Sequence, residues 1–116
     1  MEKIKDVYAN DVQVLAEIIL AIETKNNLQF IYAKELDVTA TRKVSPHNLY
    51  WNADNTKVML DAFQISGETT SGVLKSFKQF DCKFIKSALI LDNSFEIEKG
   101  YNYKSDRYKN SILGVI

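Results

Sequence analysis

Residues 10–33, N-D-V-Q-V-L-A-E-I-I-L-A-I-E-T-K-N-N-L-Q-F-I-Y-A, change their hydrophobic period part-way along, and that change decides the fold. In the first half Val14, Leu15, Ile18, Ile19 and Ile22 recur at three- and four-residue spacing, the stripe of an amphipathic helix. Asn10 or Asp11 can cap its start by accepting orphan backbone N–H bonds. Asn26-Asn27 is expected to end it, because asparagine tolerates the left-handed conformation. The helix is therefore placed at about 11–25. In the second half the period becomes two: Leu28, Phe30 and Tyr32 share one face of a strand, and Gln29, Ile31 and Ala33 the other.

Working outward, the polar stretch Lys34–Thr39 reads as a hairpin connection, and Thr41–Trp51 as a second extended segment interrupted at Pro46, which has no ladder donor. N-A-D-N at 52–55 is a turn cluster. Val58–Ile65 is the clearest third strand, the glycine-bounded S-G-E-T-T-S-G at 66–72 a loop, Leu74–Phe80 a fourth strand, and the segment around Phe84–Leu91 a fifth. One helix followed by five short strands in meander order predicts a mainly β fold, a small and strongly bent sheet closing into a barrel over about 28–91. The remainder, 92–116, carries Phe95, Tyr101, Tyr103, Tyr108, Ile112, Leu113 and Ile116. That is too apolar for a free tail, so it is expected to be a docked arm with a short helix near 105–113.

Composition narrows the function classes. With 116 residues, 46% of them hydrophobic and 26% charged, the chain suits a single domain, 1–116, and neither disorder nor a disulfide scaffold. Fifteen basic residues balance fifteen acidic ones, so no global field advertises nucleic acid or a membrane. A lone cysteine, an acidic residue directly after Met1 and no long apolar run lead to the expectation of a cytoplasmic protein without signal peptide or membrane span. One histidine and one cysteine make no zinc pattern, and no metal or cofactor is expected. Cys82 lies between Phe80 and Phe84 in a strand pattern, where a thiol is a small hydrophobe more often than a nucleophile. Phosphate-loop and nucleophile-elbow motifs are absent, and Asp92, Glu96 and Glu98 lie in a stretch polar enough to stay in water. An enzyme is not expected.

Two features point to binding. Lys75, Lys78, Lys83 and Lys86 fall within twelve residues, with 75 and 83 sharing one strand parity and 78 and 86 the other. They suit a basic groove for phosphate as well as they suit solvated edge strands. Tyr50-Trp51 offers flat rings near Arg42 and His47, a set fit for stacking on a base or for ordinary rim packing.

R-K-V-S-P-H-N-L-Y (42–50), V-M-L-D-A-F-Q-I-S-G-E-T-T-S-G (58–72) and F-K-Q-F-D-C-K-F-I (77–85), with Tyr32 in L-Q-F-I-Y and the helix before it, together resemble the WYL domain in order and spacing. More closely they resemble a compact stand-alone branch of that family, over roughly residues 12–91. The chain departs from the pattern at Val58-Met59-Leu60, where the naming Trp-Tyr-Leu triplet stands, and at Asp81, where a basic residue is common.

The resemblance implies an Sm-like, SH3-type barrel with an N-terminal helix, and a bacterial regulatory or sensor module that binds a nucleotide or single-stranded nucleic acid. Its candidate ligand-binding residues are Tyr32, Arg42, His47, Tyr50, Gln64, Lys75 and Lys78. Arg42 would grip phosphate, Lys75 and Lys78 add attraction, Gln64 and His47 read polar edges, and Tyr32 or Tyr50 stack. The competing expectation is a protein-interaction or homo-oligomer assembly module with no small ligand, since barrels of this type associate edge to edge.

Overall fold

The computed structural model describes residues 11–33, 41–67 and 75–116. The readings of the lead-in, of the 34–39 connection, of residues 68–72 in the glycine-bounded loop and of Leu74 lie outside these.

Helix α1 spans Val12–Thr24. Asp11 is its cap: the carboxylate accepts from the N–H groups of Gln13 and Val14 at 2.8 and 3.4 Å. The stop comes earlier than the asparagine pair. Lys25 takes the left-handed conformation (φ 54°, ψ 45°), and its N–H reaches the carbonyls of Ala21 and Ile22. Asn26 is thereby released to open the first strand, and Asn27 is buried there, accepting from the Ser45 hydroxyl at 2.6 Å.

The fold is mainly β: one six-stranded antiparallel sheet with the helix at its N-terminal side. The strands are β1 (Asn26–Tyr32), β2 (Thr41–Trp51), β3 (Val58–Gly67), β4 (Ser76–Asp81), β5 (Ile85–Ser94) and β6 (Ser111–Gly114). Their order is β4-β3-β2-β1-β5, with β6 on β2. The first four form the expected meander. After β4 a one-turn 3-10 helix, Cys82–Phe84, redirects the chain so that β5 pairs with β1, which bends the sheet round the core. Cys82 is buried as expected, but in this turn and not in a strand. The turn also breaks the parity expected to link Lys75 with Lys83 and Lys78 with Lys86.

β2 runs uninterrupted through Pro46. Its first half, Thr41–Val44, pairs with β1 and its second, Asn48–Tyr50, with β6. Pro46 sits where one neighbour gives way to the other, so its missing N–H costs little there. His47 is the extra residue of a bulge against β3, between the Pro46–Ala62 and Asn48–Asp61 pairs.

The inner face of the sheet carries Leu28, Phe30, Val44, Leu60, Ala62 and Phe80, closed by Ile18 and Ile22 of α1. The outer face of β2–β4 is covered by the arm, in its own chain. Within the arm the expected helix is a single 3-10 turn, Asp106–Tyr108, and residues 111–114 are a strand. The reason lies in β2, whose second half has no β1 beside it; its backbone groups need a partner, and β6 supplies one.

Candidate functional site

At the Thr41 end of β2 the inner face turns polar. Arg42 is 5% exposed, and its guanidinium carbon lies 5.2 Å from the Tyr32 ring centroid and 5.5 Å from that of Phe80. Its Nη1 donates to Oε1 of Gln64 at 3.4 Å. Gln64 is itself fully buried, with Nε2 directed to the Ser66 carbonyl at 3.4 Å. The Tyr32 hydroxyl accepts from the Asp81 N–H at 3.0 Å, and burial raises its pKa, so the phenol is neutral. Lys78 pairs with Ala62 in the ladder, and so lies on the same side of the sheet as Gln64 and Phe80. Lys75, exposed and at φ 57°, reaches this end through its backbone, its N–H donating to the Gln64 carbonyl at 2.8 Å. Five of the seven sequence-derived candidates, Tyr32, Arg42, Gln64, Lys75 and Lys78, thus gather at one end of the sheet.

The other two do not. His47 is fully buried under the arm. Its Nδ1 faces the Ser45 carbonyl at 2.8 Å and its Nε2 accepts from the Glu98 N–H at 3.0 Å, so both nitrogens are engaged and the tautomer is set by its partners. The rings of Phe77, Phe95 and Tyr101 surround it at 5.0, 5.1 and 5.2 Å. Burial lowers its pKa; the Ser45 carbonyl and the Glu98 and Asp61 charges only partly oppose that. Tyr50 is also buried, donating to Oδ1 of Asp61 at 2.7 Å. Neither residue has an edge left for a base: their polar atoms hold the sheet and its arm together.

Asp61 is the residue that sequence reasoning missed. Its carboxylate, 1% exposed, accepts from Tyr50, from Tyr108 at 2.7 Å and from Nη1 of Arg107 at 3.1 Å. The Gln79 amide oxygen accepts from Nε and Nη1 of Arg107 at 3.1 and 3.0 Å. The signal was present in V-M-L-D-A-F: an aspartate in the middle of an apolar strand needs several donors, and one of only two arginines lies in the arm.

Among the described residues no cluster of His, Cys, Asp or Glu could hold a metal ion, and no helix is long and apolar enough to cross a membrane. Lys83 lies over the Phe84 ring at 5.1 Å and 4.0 Å from Asp81. In the Val58-Met59-Leu60 triplet, Val58 and Leu60 belong to the core.

The fold defines a small, bent antiparallel sheet with an N-terminal helix, and the site a buried arginine among rings on its inner face. No family model matches the chain, and no curated protein matches it. Among solved structures it is similar to Proteasome accessory factor B/C (PafBC) of Arthrobacter aurescens, with a TM-score of 0.61 and 16% identity over 80% of this chain. The chain spans only 14% of that protein's length, and at this identity the likeness concerns the fold.

Proposed function

We propose that the chain is a WYL-like regulatory module that binds an anionic ligand, a nucleotide or single-stranded nucleic acid, at the inner-face end of the sheet, and that it is not an enzyme. The observation that carries this reading is the placement of two cations, Arg42 and Lys78, on the same face as Tyr32, Gln64 and Phe80. A buried guanidinium held by a neutral amide and two rings keeps its full charge for an incoming phosphate. PafBC, by name an accessory factor, is compatible with an auxiliary role for the fold they share.

The test is the anisotropy of a labelled oligodeoxythymidylate titrated with the protein at several salt concentrations. Affinity should fall steeply with salt, and both Arg42→Lys and Lys78→Ala should weaken it. No binding at millimolar protein, or binding indifferent to salt and to Lys78→Ala, sinks the reading.

A second reading, an assembly module, is favoured by one observation: Ile97, Tyr103, Ile112 and Ile116, all in the arm, are exposed. Salt-insensitive, concentration-dependent mass in light scattering would support it.

A further inference from the structure

A second groove lies on the far side of the molecule from the inner-face cluster, where the arm's 3-10 turn runs beside the end of β2. It has a volume of about 370 Å³, within the range of small-molecule sites. Trp51 and Met59 give it an apolar wall, and Lys57, Arg107, Lys109 and Asp106 bring three cations and one carboxylate to it.

Arg107 is fixed before any ligand arrives. Asp61 and Gln79 hold its Nε and Nη1, while Nη2 has no acceptor among the described residues and the side chain is half exposed. Nor do the ammonium groups of Lys57 and Lys109 pair with any carboxylate among those residues. A groove with an indole on one wall and unspent donors beside it suits a planar ring carrying a negative group.

We infer that this groove binds a phosphate-bearing planar ring, a nucleoside monophosphate unit, with the ring against Trp51 and the phosphate among Arg107, Lys57 and Lys109. The unit has two sources, a free nucleotide or one residue of a single strand. The inference is independent of the inner-face reading, because it shares no residue with that cluster.

Trp51 is the sole tryptophan, so intrinsic fluorescence reports on this groove directly. The full chain is titrated with AMP, hexadeoxyadenylate, adenosine and inorganic phosphate. AMP or the hexamer should change Trp51 emission saturably, with adenosine and phosphate at least about tenfold weaker, since each lacks half of the interaction. Saturation by AMP assigns a free nucleotide; saturation by the hexamer alone assigns a strand.

Lys57→Ala/Lys109→Ala, two surface changes, should weaken the response about tenfold, and Lys78→Ala should leave it intact. The inference is overturned if neither AMP nor the hexamer gives a saturable change, or if the double variant responds like the parent. Labelled oligonucleotide that binds through Lys78 while Trp51 stays silent would overturn this groove and leave the inner-face reading standing.

Discussion

The amide N–H of Glu98 donates to Nε2 of His47 at 3.0 Å, and this bond joins the arm to the bulge in β2. The same histidine's carbonyl accepts from the Val115 N–H at 2.8 Å, so His47 holds both ends of the arm's crossing over the outer face. A neutral imidazole can accept at Nε2; a protonated one cannot.

Stability should therefore depend on pH in a defined window. The folded-state pKa of His47 lies below its ordinary 6.5, so the unfolded chain binds the extra proton more readily. This contribution is fully present above about 6.5 and is lost as pH falls from there through the folded value. His47 is the only histidine, so a decline in Tm between pH 7 and 5, ahead of carboxylate protonation, belongs to it. A flat Tm over that range would refute the buried, neutral assignment.

Cys82 should be inert in the native protein. It is 1% exposed, and burial drives its thiol pKa far up, with the Asp81 charge adding to the effect. A maleimide should label it only after denaturant is added. Fast labelling of the native chain would show that the 3-10 turn opens and would reopen the case for thiol chemistry.

Much of the fold was legible because it rests on period and punctuation. The α1 stripe, the Leu28-Phe30-Tyr32 face and the extent of β2 follow from side-chain spacing alone. What was not legible depends on long-range demand. Ser111–Gly114 is too short to declare itself a strand, and becomes one because β2 outruns β1. The 3-10 turn at Cys82 hides in an alternating pattern that reads equally well as continuous strand, and the lysine parities failed with it. At the site, Arg42, Gln64 and Tyr32 come together as their shared strand face required, whereas His47 changed role because a bulge turned it under the arm. No local pattern announces that bulge.

Asp61 should be the most sensitive polar position in the sheet. Replacing it with alanine leaves the Tyr50 and Tyr108 hydroxyls and Arg107 without their acceptor, and should cost about 2–4 kcal/mol in urea unfolding. Because the donors share one carboxylate, Tyr108→Phe should cost much less in the Asp61→Ala background than in the parent. Additive losses would mean that the network does not act as a unit.

The last prediction concerns Gly114, where β6 passes closest to the outer face. A Cβ built there would stand 2.8 Å from Nδ2 of Asn48 and 2.9 Å from the Tyr101 hydroxyl, the two atoms of a hydrogen bond 2.9 Å long. Neither atom is loose. Asn48 is 2% exposed and its Oδ1 accepts from the Ser111 hydroxyl at 2.8 Å, while the Tyr101 ring packs on His47 and Tyr108. Gly114→Ala must therefore break the Asn48–Tyr101 bond or shift β6, at about 1–3 kcal/mol. Reduced unfolded-state entropy offsets only about 0.4–1 kcal/mol of that. The variant should melt several degrees below the parent. Tyr101→Phe removes one of the two obstructing atoms, so adding it to Gly114→Ala should cost less than it does alone. A Gly114→Ala protein with unchanged or raised Tm would show that the arm does not approach β2 as closely as this packing requires.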